Sequence, residues 1–244
     1  MHKLIVISTA LLSLHLASAE ETSNLNPNPH FTISFSSAVA NKYLNTGTGG
    51  ELSKDPVVQT DLTLTHHSGL YLDLWNSRSL AHKWNSGDLG DEVDYGIGWN
   101  GTVKGFNIHV GSTYFDEPHV FTLGAGDIVY THARIGKDFK PLTVTLGYEN
   151  YTPLPGSGFQ GGNLMSVGVS KNFSFCKDKV TLTTSLAGVY DTGTLGSERE
   201  FFVRANIGVN WNASKCVTLN LISANYYIRR ASDVMVTSGV ALNF

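Results

Sequence analysis

From Phe31 to the end of the chain, apolar residues alternate with small or polar ones. The pattern is plain in Phe31-x-Ile33-x-Phe35, Leu142-x-Val144-x-Leu146-x-Tyr148 and Val180-x-Leu182-x-Thr184-x-Leu186. A period of two marks strands with two unlike faces. It predicts strands near 31–40, 57–66, 69–77, 93–101, 105–115, 127–136, 141–149, 163–172, 179–190, 201–211, 215–227 and 233–244.

Two all-β architectures fit such a pattern: a soluble sandwich or barrel with an apolar core, and a transmembrane barrel with an apolar outside and a polar inside. The less apolar face decides between them. It reads Thr32, Ser34, Ser36 in the first strand, Thr143, Thr145, Gly147 in the seventh and Arg204, Asn206, Gly208, Asn210 in the tenth. A soluble sandwich would face water with more Lys and Glu, whereas small neutral groups suit a hydrated lumen. Connector length agrees. Short turns at 67–68, 102–104, 137–140, 173–178 and 212–214 alternate with longer segments at 41–56, 78–92, 116–126, 150–162 and 191–200, as periplasmic turns and outer loops do. The fold class is therefore all-β, an antiparallel transmembrane β-barrel of about twelve strands.

With this topology aromatic residues fall into two interfacial bands. Phe31, Trp99, Phe106, Phe173, Trp211 and Phe244 form the inner band, and Tyr114, Tyr148, Tyr190, Phe201 and Tyr227 the outer one. Lysines collect on the short turns (Lys104, Lys137, Lys140, Lys177, Lys179, Lys215) and carboxylates on the long loops, among them Glu51, Asp55, Asp116, Asp191 and Glu198.

Ahead of the strands, His2 and Lys3 precede an apolar run from Leu4 to Leu16 that closes on Ala17-Ser18-Ala19. That is the layout of a secretory signal peptide, which divides the chain into a leader, 1–19, and a barrel, 20–244. Composition narrows the class further. The 244 residues are 41% hydrophobic and 15% charged, too apolar for disorder, and 25 Gly argue against a helical bundle. A net charge of -3 gives no basic field for nucleic acid.

The last residues, Gly239-Val240-Ala241-Leu242-Asn243-Phe244, resemble the C-terminal strand of bacterial outer-membrane proteins, which the barrel-assembly machinery reads through a terminal aromatic. A narrower resemblance lies in Lys54-Asp55-Pro56-Val57-Val58-Gln59, in His66-His67-Ser68-Gly69-Leu70-Tyr71-Leu72-Asp73-Leu74-Trp75 and in Glu92-Val93-Asp94-Tyr95-Gly96-Ile97-Gly98-Trp99. Over about 31–116 the chain resembles the TorF-type porins. That resemblance implies a pore in the outer membrane, surrounded by lipid and lipopolysaccharide, without naming a solute.

Continuing the alternation inward points Asp61, Asp73 and Asp94 on strands two to four, and His109, His132, Arg134 and Arg204 on strands five, six and ten, into the lumen. Acidic and basic walls facing one another would set a transverse field and bias which ions pass. Internal salt bridges plugging a narrow barrel are the competing reading, since twelve tilted strands enclose a backbone diameter of only about 24 Å. His66-His67-Ser68 has the residue types of a Ser–His nucleophile but falls in an inner turn with no acid nearby in sequence. His109 and His132 are two ligands without a third, so no metal is expected. Gly47-Thr48-Gly49-Gly50 and Gly156-Ser157-Gly158 read as loop punctuation, and Asp88, Asp91 and Glu92 as a solvated acidic loop.

Cys176 and Cys216 fall on inner turns of an exported chain, where a disulfide between them is expected. The expectation is thus a channel for passive diffusion of small hydrophilic solutes or ions, with no catalytic residue and no cofactor. A lipid-modifying enzyme of the outer membrane and a closed structural or assembly barrel are the alternatives.

Overall fold

The computed structural model describes residues 30–84, 89–116, 120, 122, 126–229 and 233–244. Among them, fourteen strands form in chain order. Twelve close into one antiparallel barrel: β1 (Phe31–Ala40), β4 (Val57–His66), β5 (Leu70–Ser79), β6 (Glu92–Val103), β7 (Phe106–Asp116), β8 (Ile128–Phe139), β9 (Leu142–Pro153), β10 (Gly162–Phe175), β11 (Val180–Asp191), β12 (Glu200–Asn212), β13 (Val217–Ile228) and β14 (Asp233–Asn243). Each predicted strand has its counterpart. The two short strands β2 (Tyr43–Leu44) and β3 (Glu51–Ser53) pair with each other inside what the sequence presents as an open outer loop. The segment 1–19 lies outside the described residues.

Every barrel strand pairs with its chain neighbour in the barrel, and β14 closes the ring against β1 through Ser34↔Asn243 to Ala40↔Thr237. Closure leaves no edge strand, so ladder donors and acceptors are satisfied within the wall, as hydrocarbon surroundings require. The inner turns are tight. Lys104 and Gly105 both have positive φ (51° and 76°) between the paired Val103 and Phe106, the two-residue turn whose twist suits a hairpin.

The outward face is apolar: Leu70, Leu72 and Leu74 on β5, Ile97 on β6, Val167 on β10, Leu186 on β11 and Phe201 on β12 are all exposed. At the inner rim Phe106, Phe173, Trp211 and Phe244 are exposed, and Lys137 lies over the Phe106 ring at 4.7 Å. Tyr148, Tyr190 and Phe201 stand out near the outer rim. Tyr227 does not join them. A bulge between Asn220 and Ser223 leaves both Leu221 and Ile222 on the outside, so parity flips above it. Tyr226 then faces out and Tyr227 turns into the barrel, where it is buried opposite Arg204.

The lumen has two unlike halves. In its outer half, inward residues near the strand ends, Ala40, Val57, Ile128, Leu164, Val189, Phe202 and Met235, form one buried cluster around Tyr43 and Leu44. In its inner half the lining is small and polar: Thr143, Thr145, Ser170, Ser185, Asn206 and Ser223 occupy inward positions.

Candidate functional site

The segment joining β1 to β4 folds down into the barrel, and it shapes the lumen. Asn45 organises its tip: its Oδ1 accepts from the backbone N–H of Gly47 (3.0 Å) and of Thr48 (2.9 Å), while its own N–H donates to Gly50 O at 2.8 Å. The far wall holds this tip through its carbonyls. Arg204 Nη1 donates to Thr46 O at 2.9 Å, Tyr227 Oη donates to the same oxygen at 3.1 Å, and Arg229 Nη1 donates to Thr48 O. On the near side Tyr43 Oη donates to the buried carboxylate of Glu92.

Glycine is a packing requirement at this tip. A Cβ on Gly47 would lie 2.1 Å from Tyr151 Oη, and one on Gly49, at φ +74°, 2.4 Å from the Tyr227 ring. These glycines sit inside the barrel, which corrects their reading as loop punctuation. At the base of the segment, Lys42 pairs with Asp233 and with Glu51 (3.4 Å). Its hydrogen bond to the Asp233 carboxylate holds the Lys42 ammonium above its ordinary pKa.

The tip fills one side of the outer lumen and leaves a cavity of about 320 Å³ on the other. Asp73, Asp94, His132, Arg134 and Arg204 all line it, with Trp75, Phe115, Tyr130 and Tyr151 between them. Phe115 stacks on Tyr130 (5.4 Å between centroids), and Tyr130 packs against Tyr151 (5.0 Å). Glu149 lies between the two guanidinium groups, its Oε1 3.0 Å from Arg134 Nη2 and 3.9 Å from Arg204 Nη2. The buried Glu149 carboxylate accepts from Arg134 and lies beside Arg204, so it ties the two arginine side chains together.

Below this level lies a second space. A chamber of about 360 Å³ is lined by Asn100, Thr102, Asn107, His109, Arg134, Thr143 and Thr145. Arg134 borders both spaces, so it stands at the boundary between them. Asp61 and Asp73 meet on the opposite wall, where Thr63 Oγ1 lies 3.1 Å from the first and 2.8 Å from the second. His109 and His132 are neighbours with Nε2 atoms 3.3 Å apart, and Tyr71 Oη lies 2.9 Å from His109 Nε2. Of the side chains expected in the lumen, Asp73, Asp94, His132, Arg134 and Arg204 line the outer cavity, His109 lines the chamber, and Asp61 adjoins Asp73 through Thr63.

Glu149, Tyr151 and the tip residues Tyr43 to Thr48 were not anticipated. Carrying the β9 alternation four residues past Gly147 would have found Glu149 and Tyr151. The apolar pair Tyr43-Leu44 was the one sign that its loop is not wholly solvated.

Two further expectations change. Cys176 and Cys216 are both free and exposed, so the disulfide between them is not formed. They sit on turns two strands apart, about 10 Å at the usual spacing, beyond the reach of a bridge whose Cα atoms lie at most about 7 Å apart. Within the acidic group, Asp88 lies outside the described residues, whereas Asp91 and Glu92 are buried, and Asp91 accepts from the Ser79 N–H at 3.0 Å. At the inner rim His66 Nδ1 lies 2.8 Å from Ser68 Oγ and accepts from the Ser68 N–H at 3.3 Å, contacts that close a turn.

A family described as "Bacterial protein of unknown function (Gcw_chp)" matches residues 24–241. The chain belongs to that family. No curated protein matches it. Among solved structures, the KdgM porin aligns with a TM-score of 0.56 at 11% identity, over 87% of this chain and 99% of that one. The KdgM porin in complex with disordered oligogalacturonate gives 0.56 at 10% identity, again over 87% and 99%. The NanC porin gives 0.53 at 8% identity, over 86% and 98%. The Gcw_chp chain thus shares the barrel fold of the KdgM and NanC porins over 86–87% of its length.

Proposed function

We propose that this Gcw_chp barrel is an outer-membrane channel for passive diffusion of small hydrophilic solutes or ions, of the TorF type. The observation that carries the reading is the lumen: a polar chamber opens below a constriction at which Arg134, Glu149 and Arg204 face the carboxylates Asp73 and Asp94. Cations and anions crossing it would meet opposite walls, so a transverse field would sort them by charge and dipole while the tip of the first loop limits their size. Asp61, His109 and His132 extend the two walls toward the inner side. On this reading, residues 1–19 are the export signal and 20–244 the mature barrel. Phe244, exposed at the end of the chain, is the residue that the assembly machinery would read.

The test is single-channel conductance of the refolded mature protein in a planar bilayer, with Arg204→Ala beside it. Discrete steps whose size and ion preference change with the substitution support the channel. A correctly folded barrel that stays silent under every voltage would instead support the closed structural barrel.

A further inference from the structure

Pairing of β1 with β4 places Phe31 opposite His66, and the ladder runs one step further, with the His67 N–H donating to His30 O at 2.9 Å. Register thus delivers a third imidazole to the His66-His67 pair, from a residue 36 positions earlier in the chain. Ring centroids of His66 and His67 are 4.0 Å apart, and those of His30 and His67 are 5.4 Å apart. One ligand nitrogen from each of the three lies within 4.8 Å of the others. The Phe31 ring packs on His66 at 5.0 Å, and Ser68 Oγ contacts its Nδ1, so that ring is held from both sides.

We infer that His30, His66 and His67 form a binding site for a divalent transition-metal ion of the imidazole-binding class, with Zn²⁺ the natural probe. Nitrogens on a tetrahedral Zn²⁺ at about 2.0–2.1 Å stand roughly 3.4 Å apart. The three rings therefore need to close by about an ångström, which side-chain rotation supplies on an exposed rim. Imidazole donors select Zn²⁺, Cu²⁺ or Ni²⁺ over Mg²⁺ and Ca²⁺. With an ion on Nε2, His66 Nδ1 carries the ring proton and donates to Ser68 Oγ, 2.8 Å away, in place of accepting from the Ser68 N–H.

Three protein ligands leave a fourth position open. His66 and His67 also line an inner-rim cleft of about 460 Å³, together with Thr32, Thr65, Trp99 and Asn100. A bound ion would pin the start of β1, the strand that closes the barrel, to the β4–β5 turn. Among the described residues His109 and His132 meet inside the lumen without a third histidine, and they serve as the control.

The experiment uses the mature chain made without a polyhistidine tag, refolded and freed of metal. Zn²⁺ is titrated by calorimetry, and Cu²⁺ is then bound and its coordinating nitrogens counted by electron paramagnetic resonance. The site predicts one ion per chain with three imidazole nitrogens. Affinity should fall about tenfold or more in both His30→Gln and His67→Gln, and stay unchanged in His109→Ala. Heat-modifiable gel migration verifies that each variant is folded. The inference is overturned by absence of saturable binding, or by binding that folded His30→Gln and His67→Gln leave as it was. Neither result depends on whether the barrel conducts.

Discussion

The two halves of the lumen are built from the same alternating strands but filled in opposite ways. In the outer half inward positions carry Val57, Ile128, Tyr151, Leu164, Phe202 and Tyr227, and the first loop's Leu44 completes a packed interior. In the inner half they carry Ser, Thr, Asn and Gly and leave a chamber. Strand pairing makes the wall in both halves whatever fills them, and the filling adds to its stability. The sequence is then free to make one half a rigid frame for charged groups and the other a passage. Rigidity matters where Glu149 sits between two arginines, because a buried carboxylate needs its hydrogen-bonding partners held in place.

The sharpest way to break the contrast is Glu149→Gln. Removing the anion leaves two guanidinium groups facing each other, and breaking a buried pair in this way costs about 3–5 kcal/mol. The denaturant midpoint of the refolded barrel should fall, and any surviving channels should shift toward anions. Next in size is Gly49→Val, which drives a side chain into the Tyr227 ring and strains a positive φ. Overpacking of this kind costs about 1–3 kcal/mol. The loop tip should leave the wall, seen as faster proteolysis from the outer face and a larger conductance.

A smaller effect is expected from Arg134→Ala, which weakens the basic wall without moving the loop. Ion preference measured across a salt gradient should move toward cations. The shift should shrink as salt rises, since the screening length is about 10 Å at 0.1 M and about 3 Å at 1 M. Smallest of all is Ser170→Ala in the inner half, expected to change stability by no more than about 0.5 kcal/mol and conductance hardly at all.

The same contrast explains how much could be read from the sequence. Strand periodicity is local, so all twelve barrel strands were legible, and parity is the signal by which Asp61, Asp73, Asp94, His109, His132, Arg134 and Arg204 are expected inward. Features that depend on distant contacts were not legible. A polar, Gly-rich segment such as 41–56 looks solvated until Tyr151 and Tyr227 are known to receive Gly47 and Gly49. The bulge at Leu221-Ile222 inserts one residue with no Gly or Pro to announce it, and Tyr227 changed sides for that reason. The His30–His67 contact follows from register across the first hairpin pair, which no spacing rule along the chain contains.

The account's central claim is that passage is limited in the outer half by the inserted first loop. Its most direct test replaces Tyr43–Gly49 with a short Gly-Ser linker and compares single-channel conductance with that of the unaltered mature barrel. The prediction is a severalfold larger step in the variant, with weaker ion preference because Arg204 loses its hold on Thr46. Equal conductance in two folded barrels would place the limiting segment elsewhere and contradict the claim.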